Sequence, residues 1–178
     1  IPTAEFVLVD DLADIRKHSD FLPAFNKLGV GGYDGGGVVR LDSATNLEKA
    51  FDAPGLLEKA VDMDREISVI AARNAHGDVA VYPIVECVFH AEHNLVDYLI
   101  SPSTLSNELQ NQAIEIASSL VQKLEIIGLL AVEMFVSRSG EILVNEVAPR
   151  PHNSGHQTIN ANVTSQYEQL LRAILNLP

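Results

Sequence analysis

An α+β fold in two lobes is what this sequence predicts, on three observations. Short runs rich in Val, Ile, Leu and Phe are joined by the turn signals His76-Gly77-Asp78 and Ser139-Gly140, which implies antiparallel hairpins. The segment 108–126 carries Ile114, Ala117, Leu120, Val121 and Leu124 on one stripe, as a helix lying on a core would. A polar linker, Asp62 to Arg65, separates two strand-like segments and divides the chain into lobes of about 1–57 and 58–178.

The 178 residues suffice for one sizeable core or two small lobes sharing an interface. A hydrophobic content of 47% and a mean hydropathy of +0.11 describe a globular chain. No apolar run approaches the roughly 20 residues of a membrane span, and no signal peptide opens the chain. The abrupt start at Ile1-Pro2-Thr3 and stop at Leu177-Pro178 suggest a domain cut from a longer protein. A net charge of −12 argues against non-specific nucleic-acid binding, which needs a basic surface. Cys87 is the sole cysteine, so no internal disulfide can form, and a reducing, cytoplasmic setting is the simplest inference. Within the apolar run 81–89 it is expected to pack in the core rather than act as a nucleophile.

In chain order, residues 5–9 form a short strand, and Asp10-Asp11 caps a helix through His18 with Leu12 and Ile15 on one face. Residues 21–28 follow as a strand carrying Lys27. GVGGYDGGG, 29–37, holds six of the eleven glycines. It is equally a flexible hairpin tip or a loop whose bare backbone approaches an anion, and Lys27 beside it favours phosphate. It matches neither a Walker A loop nor GxGxxG. A strand, 38–41, comes next, then a helix from Ser43 to Phe51 with Leu47 and Phe51 inward. Residues 56–61 form a strand, 66–73 another, and 79–89 the strand that pairs back on it. Glu58 and Glu66 flank the linker, where spacing alone makes them solvated strand-end charges. His90 and His93 lack a nearby third ligand and read as surface residues. Residues 94–106 are loop and short strand, Gly128 ends the long helix, and 164–175 is a closing amphipathic helix.

The richest chemistry lies in AVEMFVSRSGEILVNEVAPRPHNSGH, 131–156. Residues 129–136 and 141–147 read as strands, and a two-residue loop at Ser139-Gly140 puts Glu133 directly opposite Glu146. Facing carboxylates repel, so the pair either binds a divalent cation such as Mg²⁺ or faces solvent on an edge hairpin. Pro149, Pro151 and Gly155 forbid a regular helix beyond it, so His152 and His156 are not one helical metal pair. The segment is a plausible wall facing substrate.

The motifs GGYDG (31–35), REISVIAAR (65–73), AVEMF (131–135), NEVAPRPHNSGH (145–156) and TSQYEQLLRAI (164–174) resemble the central ATP-grasp domain of the 5-(carboxyamino)imidazole ribonucleotide synthase family, over nearly the whole chain. The resemblance implies an ATP-grasp fold of two α+β lobes clasping a nucleotide between antiparallel sheets. In the family this domain is flanked by an N-terminal Rossmann-like domain and a small C-terminal one. The implied activity is a carbon–nitrogen ligase of purine biosynthesis. It uses MgATP and bicarbonate to form carboxyphosphate, then carboxylates the exocyclic amine of aminoimidazole ribonucleotide, in a cytoplasmic homodimer. Another ATP-grasp ligase or a non-catalytic nucleotide-binding module are the alternatives. Carried over position by position, Lys27 and the loop containing Gly32, Tyr33, Asp34, Gly35 and Gly37 hold the phosphates, with Tyr33 facing the ribonucleotide. Glu58 and the hinge Lys59, Ala60 and Val61 receive adenine, Glu66 the ribose, and His90 a further nucleotide contact. Glu133 and Glu146 ligate Mg²⁺ with Asn145 beside them, and Arg150 and His152 line the carboxyphosphate site. Gly36, Gly29 and Leu170 depart from the basic residues common there.

Overall fold

Hydrogen-bonded strands sort into two antiparallel sheets in the computed structural model, which describes residues 1–32, 36–89 and 96–178. The chain divides into two compact units, Ala4–Asp62 and Ile1–Thr3 with Met63–Pro178. The division falls after residue 62 rather than at 57/58. The strand bearing Glu58 pairs with two others of the smaller sheet, which fixes it in the first unit.

The smaller unit contains β1 (Phe6–Val9), α1 (Leu12–Lys17), β2 (Ala24–Leu28), β3 (Val38–Leu41) and β4 (Gly55–Lys59), with sheet order β1-β4-β2-β3. Asp11 caps α1 by accepting from the Asp14 N–H, and Ile15 on its inner face is fully buried. One face of the sheet supplies Val9, Ala24, Leu41 and Leu57, which pack with Ile15 and Leu47 into the unit's core. Alternation then sends Phe25, Lys27 and Glu58 to the other face. β2 begins at Ala24, not Phe21, because Pro23 has no N–H for the ladder and Ser19–Phe21 turns as a 3₁₀ helix. Residues 44–49 are also 3₁₀, broken at Asn46, whose side chain closes a capping box with Ser43 in place of the expected α-helix.

In the larger unit, β5 (Met63–Arg73), β6 (Val79–Val81), β7 (Val85–Phe89), β8 (Val96–Ile100), β9 (Gly128–Ser137) and β10 (Ile142–Ala148) form a sheet of order β10-β9-β5-β7-β8, with β6 also on β5. Polar Met63-Asp64-Arg65 is strand rather than linker, since the long partner β9 pairs with it as far as Ser137. The single strand expected over 79–89 is split at Pro83, across which the pairing with β5 shifts by one residue. α2 (Asn107–Lys123), capped by Ser106, lays Ala113, Ile116, Ala117, Leu120 and Val121 on one sheet face against Ile67, Val69, Val132 and Met134. Leu124, expected on that stripe, is the exposed C-cap. On the opposite face Ile70, Ala72, Leu129 and Ala131 cluster with Tyr82, and Leu170 of α4 (Gln166–Ile174) packs on them, past a short α3 (Thr158–Ala161) that periodicity did not reveal. Among the described residues, no helix is long and apolar enough to cross a membrane.

Candidate functional site

The apolar cover of the second face belongs to the far end of β5 and β9. Nearer the chain's entry into β5, the residues that alternation sends to that face are Glu66 and Ser68, with Glu133 and Phe135 beside them on β9. Glu133 is the direct partner of Ser68 on one side and of Glu146 on the other. A row of polar groups thus crosses a sheet that is otherwise Val, Ile and Leu.

Glu146 arrives in that row by a route different from the one expected. The hairpin loop has three residues, 138–140, closed by Ser137 N–H to Glu141 O (2.9 Å) and Gly140 N–H to Ser137 O (2.9 Å), with Gly140 at φ +85°. Alone this would place Asn145 opposite Glu133. A bulge between Val144 and Glu146 leaves Asn145 as the extra residue and restores the Glu133–Glu146 pairing. Two one-residue offsets cancel.

Burial, reinforced by the neighbouring carboxylate of Glu146, pushes the Glu133 carboxyl up to about 7; Arg150 opposes this more weakly. Below about pH 7 Glu133 then holds a proton that a cation would displace. Glu133, Glu146 and His152 each offer a ligand atom within 4.8 Å of one another. The donor set, two converging carboxylates with one largely buried, fits a divalent cation. In cation-free buffer a raised carboxyl makes the folded state hold more protons than the unfolded one between about 4.5 and about 7, so its stabilising contribution is full below that window and lost above it. Across it Glu133 is expected to cost about 3 kcal/mol as pH rises. Denaturant titrations at several pH values should show a flatter profile for Glu133→Gln than for the parent chain.

The imidazole of His152 is held from two sides. Its Nε2 lies 3.5 Å from Glu133 Oε1, and its Nδ1 is 2.9 Å from Ser154 Oγ, which is 2.7 Å from Ser68 Oγ. Its backbone is gripped by Gln166, which is fully buried: the amide oxygen accepts the His152 N–H at 2.8 Å and the amide nitrogen donates to the His152 carbonyl at 2.8 Å. Gly155 makes room for this, since a Cβ there would lie 2.5 Å from both Gln166 Oε1 and Ile70 Cδ1. Burial and the Arg150 charge hold the His152 pKa below its ordinary value. Arg150 itself is exposed, its guanidinium donating to the Pro151 carbonyl. Spacing rules did not single out Ser68, Ser154 or Gln166. Ser68 alone carried a local signal, a hydroxyl two residues after Glu66 inside an apolar strand.

Within the smaller unit Lys27 Nζ pairs with Glu58 Oε1 at 2.8 Å, as diagonal neighbours on β2 and β4. Lys59 points the other way, to Glu5, while the backbone N–H groups of Lys59 and Ala60 bond to Glu5 and Pro23 carbonyls ahead of Val61. Gly32 and Gly37 meet at the base of the glycine loop, where a Cβ on Gly37 would lie 2.6 Å from the Gly32 Cα, so close approach of the backbone accounts for both. Glu66 is buried on β5 beside Cys87. Cys87 is buried as expected, and desolvation pushes its thiol up to about 12, far from a reactive thiolate. Glu86 on the other face is buried too, but the Thr104 N–H, the Ser103 and Thr104 hydroxyls and Arg65 outweigh that burial and hold it below the ordinary carboxylate range. Tyr33, Asp34, Gly35, His90 and His93 lie outside the described residues.

The ATP-grasp domain family matches residues 1–167. The chain belongs to this family. Among curated relatives of this ATP-grasp chain, N5-carboxyaminoimidazole ribonucleotide synthase of Bacillus subtilis is 40% identical over 161 residues, covering 88% of the chain and 42% of the relative. Among solved structures, an ADP complex of N5-carboxyaminoimidazole ribonucleotide synthetase superposes with a TM-score of 0.93 at 41% identity, over 100% of this chain and 48% of that one. A structure of the Aspergillus clavatus N5-carboxyaminoimidazole synthase with ADP and 5-aminoimidazole ribonucleotide gives 0.85 at 30% identity, over 100% and 48%. The ATP-grasp chain spans less than half the length of each of these relatives.

Proposed function

We propose that this ATP-grasp domain is the nucleotide-binding, catalytic part of an N5-carboxyaminoimidazole ribonucleotide synthase. The observation that carries the proposal is the Glu133–Glu146 pair, whose burial and mutual repulsion outweigh the Arg150 charge, with the Arg150–His152 loop beside it. The substrates follow from likeness to synthases solved with ADP and with aminoimidazole ribonucleotide.

In this function Lys27, Gly32 and Gly37, together with Tyr33, Asp34 and Gly35, hold the ATP phosphates. Glu58 with Lys59, Ala60 and Val61 reads adenine, Glu66 binds the ribose hydroxyls, and His90 adds a nucleotide contact. Glu133 and Glu146 would hold Mg²⁺, which when bound neutralises phosphate charge during transfer. Bicarbonate oxygen attacks the γ-phosphorus, ADP leaves, and carboxyphosphate forms. The amine of aminoimidazole ribonucleotide then takes the carboxyl group as phosphate departs and the nitrogen loses a proton. Arg150, with its fixed planar charge, stabilises the phosphoryl oxygens, while His152 and Asn145 orient the acyl phosphate. We extend the reading to a cytoplasmic homodimer.

ADP release by the full-length protein should require bicarbonate and rise when aminoimidazole ribonucleotide is added. Bicarbonate-dependent release that ignores the ribonucleotide would point to another ATP-grasp ligase. Nucleotide binding without any release would point to a non-catalytic module, which the glycines at 29 and 36 would suit.

A further inference from the structure

We infer that Glu133, Glu146 and His152 form a three-ligand site that takes a late first-row divalent cation, of the Co²⁺ and Zn²⁺ class, in the absence of nucleotide. This rests on reading Glu133 and Glu146 as a cation pair and adds an imidazole to it.

A site for Mg²⁺ alone has no use for a ring nitrogen, because that ion prefers oxygen donors and keeps much of its water. Imidazole selects instead for the softer first-row ions. Here the Nε2 of His152 faces Glu133 Oε1 at 3.5 Å, and the ligand atoms of all three residues lie within 4.8 Å. Both the imidazole and the Glu133 carboxylate are largely sheltered, with side chains 12% and 16% exposed. Water competes poorly at those two ligands, while the exposed Glu146 closes the site on its solvent side.

The other ring nitrogen has the partner that such a ligand needs. A histidine bound through Nε2 must carry its proton on Nδ1 and donate it outward. Nδ1 is approached by the Ser154 N–H at 3.4 Å and by Ser154 Oγ at 2.9 Å; with Nε2 on a cation, that hydroxyl is placed to accept the Nδ1 proton and pass its own to Ser68 Oγ at 2.7 Å, both hydroxyls being buried. The chain Ser68–Ser154–His152 thus runs from the middle of β5 to the carboxylate pair and gives an Nδ1 proton an acceptor when a cation takes Nε2. Gln166 grips only the backbone of His152, so the ring is positioned without being consumed. A cation held this way occupies the two carboxylates and His152 together, and would oppose loading of MgATP.

Titration of the nucleotide-free chain with Co²⁺, followed by its visible absorption, tests the site. One equivalent should bind, and equimolar Mg²⁺ should not displace it. Ser154→Ala should weaken binding roughly tenfold, the cost of losing an outer partner, and His152→Asn by more. His76→Asn, which alters an exposed turn histidine, should change nothing. Because the Gln166 clamp uses only backbone groups of residue 152, His152→Asn is expected to fold, and a thermal melt checks this. Undiminished Co²⁺ affinity in folded His152→Asn would overturn the inference while leaving the MgATP reading intact. Undiminished affinity in Glu146→Gln would overturn it by removing the carboxylate pair on which both rest.

Discussion

The Glu146→Gln variant of the full-length protein is expected to lose Mg²⁺-dependent turnover by about a thousandfold or more, the scale of several kcal/mol of charge stabilisation at a transferring phosphoryl group. It should nevertheless fold at least as stably as the parent in cation-free buffer at neutral pH. The two effects share one cause. Glu133 sits above its ordinary pKa through burial and through Glu146, so the native pair is a cost to the fold that the bound cation offsets. Glutamine keeps the shape, can donate an amide hydrogen to Glu133, and removes the repulsion along with the ligand. Steady-state rates against Mg²⁺ concentration, with urea melts of the same preparation, measure both. Near-normal rates would remove Glu146 from the cation site, and a destabilised variant would mean that the pair is not in tension.

Gln166→Leu is the second large effect, and it should appear in the fold before it appears in the chemistry. The side chain is fully buried and bonds to both backbone groups of His152, while the backbone N–H of Gln166 is accepted by Thr158 Oγ1, which in turn donates to the Gly155 carbonyl at 2.6 Å. Leucine fills a similar volume, strands the N–H of His152 and leaves its C=O with the Gly155 N–H alone. An orphaned buried group costs about 1–3 kcal/mol, so the variant should lose roughly 1–3 kcal/mol in denaturant melts. Gly155→Ala should be comparable, because the new methyl collides with Gln166 and Ile70. If Gln166→Leu melts like the parent, the clamp on the 149–156 loop is not structural.

Much of this fold was legible because the strands obey alternation and the turns carry their usual residues. β3 was bounded correctly by Val38 and Leu41, and the cap of α1 by Asp11. What failed to show was what long-range pairing decides. Met63-Asp64-Arg65 looks like linker until β9 is laid beside it, and Phe21 looks like strand until it turns to the core ahead of Pro23. The same division holds at the site. Glu133 and Glu146 announced themselves as charges inside apolar strands. Gln166, fourteen residues beyond His152, offered no periodicity or spacing that ties an amide to a backbone so far away. Ser68 and Ser154, 86 residues apart, meet only in the folded chain.

The bulge on β10 also means that this strand is one residue longer than its pairing needs, and that the surplus residue is Asn145. Deleting Asn145 would let the hairpin's register run straight through to put the same glutamate opposite Glu133 and carry Val147 and Ala148 back to their present partners. Such a shortened protein should keep its far-ultraviolet circular dichroism and most of its melting temperature. Few strands bordering a candidate catalytic centre can be trimmed without throwing the centre out of step. This one separates the counting function of a residue from its chemical one, because any activity lost by the folded deletion variant would report what the asparagine amide itself contributes.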